Sequence, residues 1–95
     1  MPALLTPEQI TESLKALPNW SRHGNEIQRE FKLKDFATAL DFVNKVGEKA
    51  EAADHHPDIL IHGWNKVRIT LSTHSAGGIT DSDIKLAHTV DSLGY

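Results

Sequence analysis

Glu51-Ala-Ala-Asp-His-His-Pro57 sets two carboxylates, two imidazoles and a proline within seven residues. Imidazole, with an ordinary pKa near 6.5, is the side chain best suited to give and take protons at neutral pH. A carboxylate within reach orients the ring and favours its charged form. His55, His56, His62 and His74 all fall within twenty residues, so an acid and a base held on rigid elements could drive a proton-transfer reaction. Zinc or iron binding by His55, His56 and His74 with Glu51 is the competing use of the same groups. Adjacent histidines on a helix, however, diverge by about 100°. Each residue alone also has a plain structural use. A histidine pair can serve as the charge partner of a helix C-terminus, Glu51 as a solvated helix residue, and His74 as an exposed strand residue. His23 and His62 read as turn residues, His88 as the polar side of a helix, and Trp20 and Trp64 as core anchors.

Three helices and two strand pairs are expected to carry these groups. Thr6-Pro-Glu-Gln9 is a helix start, with a threonine cap, a proline whose missing N–H costs nothing and a glutamine placed to reach back. Ile10, Leu14 and Leu17 mark its buried face, and Pro18 ends it. From Trp20 to Leu33 the period becomes two, with His23-Gly-Asn-Glu26 as a turn and Ile27, Phe31 and Leu33 facing inward. Asp35 caps the longest helix, whose stripe of Phe36, Leu40, Val43, Val46, Ala50 and Ala53 runs up to the double histidine. On that helix Glu51 and His55, four residues apart, would be neighbours. A second strand pair follows, Ile59 to Ile61 and then Val67, Ile69, Leu71 and Thr73 alternating with Arg68, Thr70, Ser72 and His74. After the Ser75-Ala-Gly-Gly78 loop, Thr80-Asp-Ser-Asp83 opens the last helix as a capping box. The order α-β-β-α-β-β-α with short-looped strand pairs implies an α+β fold: a four-stranded antiparallel sheet with three helices packed on one face. The uncovered face then needs a polar surface or a partner.

Composition removes several functions. The 95 residues make one domain, 1–95, small enough that self-association would help it. A net charge of −3 disfavours a nucleic-acid groove, and with no cysteine there is neither a thiolate metal site nor a cysteine nucleophile. No apolar run suggests a signal peptide or membrane span, so a cytoplasmic location is expected.

The joint spacing is more specific than any one residue. Glu51-x-x-x-His55-His56-Pro57, an aromatic at Trp64, His74 after nine further residues and Asp83 after eight more resemble the signature of the pterin-4a-carbinolamine dehydratase family. The likeness extends to Trp20, Phe31-Lys-Leu-Lys-Asp-Phe36, Asn65-Lys-Val67, Leu71-Ser-Thr-His74 and Gly78 to Asp83. Six residues, Asp58 to Gly63, separate Pro57 from the aromatic where the family pattern has five, and a bulge near Gly63 is expected to absorb the extra one.

The resemblance implies a hydro-lyase that converts 4a-hydroxytetrahydrobiopterin to quinonoid dihydropterin in tetrahydrobiopterin recycling, with no metal or other cofactor. By carry-over, His56 is the general acid and base, His55 assists, Glu51 holds His55 and stabilises a cationic intermediate, and His74 acts from the neighbouring strand. Asp54, His55, His56, Ser72, Thr73, His74, Ser75 and Asp83 are the implied substrate-binding residues. The implied partners are the pterin and further copies of the chain, as a dimer or tetramer. A histidine-rich metal protein or a non-catalytic dimerisation module on the same fold are the alternatives.

Overall fold

The computed structural model describes residues 3–95. Its elements are α1 (Pro7–Leu14), β1 (Ser21–His23), β2 (Glu26–Lys32), α2 (Phe36–Ala53), β3 (Asp58–His62), β4 (Lys66–Leu71) and α3 (Asp81–Asp91), with a short 3-10 turn at His74–Ala76 before α3. The strands form one antiparallel sheet in the order β1-β2-β4-β3. This is the expected α+β arrangement, with helices on one face. Among the described residues no helix is long and apolar enough to cross a membrane.

Local side-chain chemistry starts each helix. Thr6 and Gln9 form a reciprocal capping box on α1, Asp35 accepts from the Thr38 N–H at 2.7 Å on α2, and Thr80 with Asp83 caps α3. Alternation along β2 and β4 turns Ile27, Phe31, Val67, Ile69 and Leu71 toward the helices and leaves Glu30, Lys66, Arg68 and Thr70 on the open face. Arg29 also points inward. Its guanidinium lies 4.0 Å from the Phe31 ring centre and reaches Asp91 of α3 at 2.7 Å, where the Trp20 indole also donates at 2.9 Å. On α2 the buried positions are Ala39, Phe42, Val46 and Ala50. Phe42 is wholly enclosed, with the Phe31 and Tyr95 rings at 4.5 and 4.9 Å.

Several expectations are corrected. Phe36 and Leu40 are 50% and 41% exposed, because the helix carries two apolar stripes and Phe42 leads the one that meets the sheet. Trp64 is 62% exposed and anchors nothing, whereas Trp20 is a core residue as expected. No bulge interrupts β3. The strand pairs without a gap from Asp58↔Thr70 to His62↔Lys66, and the extra residue lies in the Gly63-Trp64-Asn65 turn. Gly63 and Trp64 there have φ of 54° and 59°, the positive pair characteristic of tight hairpin turns. Asn65 is buried and donates to the Leu33 carbonyl at 3.1 Å, while Leu33 N–H donates back to the Asn65 carbonyl at 2.7 Å. The turn is thereby fastened to the end of β2. With the insertion outside the ladder, side chains of β4 keep the faces that alternation assigns.

Candidate functional site

α2 ends at Ala53, before the histidines, and this decides where both rings go. Asp54 adopts left-handed backbone (φ 49°, ψ 43°); its N–H donates to the Glu51 carbonyl at 3.2 Å and that of His55 to the Ala50 carbonyl at 3.1 Å, the closing pattern of a Schellman turn. Asp54, rather than Pro57, therefore stops the helix. His55 and His56 lie beyond it, and the four-residue helical spacing no longer governs Glu51. Its carboxylate pairs with His56 Nε2 at 2.6 Å instead of with His55.

His55 turns inward. Its Nε2 is 2.5 Å from Asp83 Oδ1, with the imidazole side chain only 14% exposed. An ionised carboxylate only accepts, so Nε2 carries the proton and donates it. Asp83 Oδ2 accepts from the Thr80 N–H at 2.8 Å and the Thr73 hydroxyl at 2.9 Å, and the Thr80 hydroxyl, 2.7 Å from Thr73 Oγ1, completes the chain. Because Thr73 spends its one proton on Asp83, Thr80 is the donor in that last contact. This buried carboxylate thus joins the end of α2, the residue before His74 and the start of α3. Asp83 has no exposed surface; both its carboxylate oxygens are taken up by His55, Thr73 and Thr80 rather than facing the cleft. Thr73 is placed likewise: its side chain is buried, its N–H donates to Gly78 O at 2.8 Å, and its carbonyl accepts from Ala76 and Gly77 at 3.0 and 2.9 Å.

His56 turns outward and is 61% exposed. The hydrogen bond that His56 donates to Glu51 holds its pKa above the ordinary imidazole value; desolvation opposes it more weakly, and the charges of Glu51 and Asp54 add smaller effects in the raising direction. The β3–β4 ladder ends at Asp58↔Thr70; continued two residues further, its register would set His56 opposite Ser72. Ser72 and His74 line an open cleft of about 440 Å³ whose other wall is His23, Asn25, Glu26 and Gly77. His74 stands in the 3-10 turn just past the strand and is exposed, as are Asp54 and Ser75. His55 instead borders a smaller groove of about 160 Å³ between α2 and α3, with Lys49, Ser82 and Lys85 among its walls.

Ser72 and His74 thus line the cleft, Glu51 and His56 pair at the exposed end of α2, and His55, Thr73 and Asp83 join in the interior. Among the described residues no three His, Asp or Glu side chains gather in a way that could hold a metal ion, which leaves the metal-binding alternative without a donor set. The hairpin wall of the cleft was absent from the sequence reading. Only the strand register, which pairs distant residues, reveals it.

A family model described as pterin 4 alpha carbinolamine dehydratase matches residues 3–93. A protein of Picosynechococcus sp. named "Putative pterin-4-alpha-carbinolamine dehydratase" is 54% identical over 93 residues, covering 98% of this chain and 100% of that one. The crystal structure of a transcriptional coactivator/pterin dehydratase from Brucella melitensis superposes with a TM-score of 0.89 at 39% identity, covering 96% of this chain and 98% of that one. A pterin dehydratase-like protein described as a RuBisCO assembly factor of the alpha-carboxysome shares the fold alone, with a TM-score of 0.66 at 24% identity, covering 79% of this chain and 88% of that one. Matched by the family model over residues 3–93 and 54% identical to a curated relative across nearly its whole length, the chain belongs to the pterin 4 alpha carbinolamine dehydratase family.

Proposed function

We propose that the protein dehydrates a 4a-hydroxytetrahydropterin, as a hydro-lyase in cytoplasmic tetrahydrobiopterin recycling, with the whole chain acting as one domain. Hydroxide is a poor leaving group, so the bond from carbon 4a to oxygen breaks readily only as that oxygen receives a proton. The His56 imidazolium, kept charged by Glu51, donates it, and water leaves as a neighbouring ring-nitrogen lone pair closes to carbon 4a. His74, whose ring has no hydrogen-bond partner among the described residues, takes the proton left on the ring nitrogen. Protons balance, and the product is the quinonoid dihydropterin plus water.

Glu51 offsets the positive charge of the intermediate. Ser72, Asp54 and Ser75 bind polar edges of the ring. His55 assists through position, tied by Asp83 to Thr73, the residue before His74. A homo-oligomer, dimer or tetramer, belongs to the same reading.

The observation that carries it is the Glu51–His56 pair at 2.6 Å, in a chain matched by this family almost end to end. Following the loss of synthetic 4a-hydroxytetrahydropterin tests it. His56→Ala is expected to lower kcat by about 10²–10⁴-fold, the usual worth of a general acid, with a much smaller change in KM. Equal rates for wild type and variant would remove the reading and leave an interaction module on this fold.

A further inference from the structure

The hairpin wall of the cleft carries a side chain that nothing above uses. Glu26 is the only carboxylate among the six residues lining the cleft. It is half-buried, and its carboxylate makes no hydrogen bond or ion pair among the described residues. Its place follows from register. β2 and β4 pair from Ile27↔Leu71 to Lys32↔Lys66, so one further step sets Glu26 opposite Ser72. The same serine is opposite His56 on its other side when the β3–β4 register is continued. Glu26, Ser72 and His56 therefore form a row across the open face. With neighbouring strands about 4.8 Å apart, the two ends of that row are separated by about 10 Å. Ile27 is fully buried on the helix side, so alternation turns Glu26 to the open face with Ser72.

The row has a donor at one end and an acceptor at the other. His56, paired with Glu51 and with its pKa raised by that bond, offers a proton. Glu26 offers two carboxylate oxygens, and the Asn25 amide and Ser72 hydroxyl beside it are likewise without side-chain partners among the described residues. A carboxylate of this kind matches a planar group with two parallel N–H donors, the geometry that makes bidentate carboxylate pairs strong and directional. A 2-amino-4-oxopyrimidine ring presents such a pair through its ring N–H and its exocyclic amino group. The flat bicyclic pterin of the proposed reaction has this edge at one end, with carbon 4a on the far side of the same ring.

We propose that Glu26 is the substrate-recognition residue of this cleft: its carboxylate accepts from the ring N–H and 2-amino group of the pterin and lays the bicycle across Ser72, with carbon 4a toward His56. This rests on the proposed dehydratase reading and adds to it the means by which the ring is oriented. The hairpin turn His23-Gly24-Asn25 is then a wall of the site, and β1 and β2 contribute to specificity as well as to the sheet. Ser21 Oγ lies 2.9 Å from His23 Nε2, which steadies the imidazole on that wall.

The test compares wild type, Glu26→Gln and Glu26→Ala, all checked for unchanged thermal melting. Turnover of 4a-hydroxytetrahydropterin and binding of a stable dihydropterin are measured, together with binding of an analogue lacking the 2-amino group. Both variants are expected to raise KM and the dihydropterin Kd roughly tenfold to a hundredfold, the worth of hydrogen bonds to a charged group. kcat should change far less. The analogue should bind weakly to wild type, and its removal of the amino group should cost Glu26→Gln little more. Wild-type affinity in the variants, a fall in kcat without a rise in KM, or an equal analogue penalty in wild type and Glu26→Gln would each overturn the assignment while dehydration by wild type stood. If wild type itself neither bound nor converted the pterin, the dehydratase reading would fall and this assignment with it.

Discussion

Glu51 pairs with His56 and not with His55 because one backbone angle intervenes, the positive φ of Asp54. The pair has a readable consequence in pH. The hydrogen bond to Glu51 raises the folded-state pKa of His56 above the unfolded value near 6.5. A raised imidazole pKa adds stability in full below the unfolded value, and that stability is lost as pH climbs through the folded value. Replacing Glu51 with Gln is therefore expected to bring the His56 ring titration, followed by NMR, back down toward 6.5. The melting difference between wild type and Glu51→Gln should be largest under mildly acidic conditions and close as the solution becomes alkaline. For catalysis the same change should move the alkaline limb of the kcat/KM profile to lower pH, since the acid form of His56 would be exhausted sooner. An unaltered ring titration in the variant would mean that the pair does not govern His56 in solution. Asp83 works differently at this scale. It is enclosed, accepts from three donors and holds His55, Thr73 and Thr80 in one arrangement.

Among the elements, the end of α2 matters most to the site. Its left-handed residue is an aspartate, and a non-glycine residue in that conformation gives up about 1 kcal/mol or more to steric crowding. Asp54→Gly is expected to keep the turn and raise stability by about 0.5–1 kcal/mol, whereas Asp54→Val, β-branched and intolerant of positive φ, should lower it and reduce turnover as His56 is displaced. Thermal melts with parallel kinetics measure both; a stabilising valine would show that the helix ends in another way. What could be read beforehand follows the reach of each interaction. The capping boxes Thr6/Gln9 and Thr80/Asp83 were legible because they close within four residues. The alternation of β4 was legible because one face is apolar and the other polar. On α2 the Phe36/Leu40 and Ala39/Phe42/Val46 stripes both have helical spacing, so sequence could not choose which meets the sheet. The chemistry of Glu51-to-His56 was visible as residue types, while its pairing depended on Asp54. The Glu26 wall depended on β2–β4 register and lay beyond any local pattern.

At the level of the whole molecule, helices cover one face of the sheet and leave the other bearing charge, with Glu30 bridging His62 and Arg68 at its centre. Charge at its centre gives that face the polar surface that an uncovered sheet calls for. Exposed apolar surface lies on Phe36 and Leu40 along the outward side of α2 and on Ile59 and Leu60 of the edge strand β3, with Leu60, opposite Arg68, at the margin of the open face. β3 also has backbone groups unpaired along one edge, since it is the last strand in the order, and exposed edges invite pairing with another chain. For a chain of 95 residues, which buries a smaller share of its surface than a larger domain does, covering these patches is the available route to added stability. Sedimentation equilibrium is expected to give two or four times the single-chain mass. Leu40→Lys or Leu60→Lys should shift the distribution toward smaller species and make melting more dependent on protein concentration. Because the Glu51–His56 pair and Glu26 belong to one and the same chain, dissociation by either substitution should leave dihydropterin binding in place. Loss of binding in step with dissociation would instead mean that a second copy completes the site.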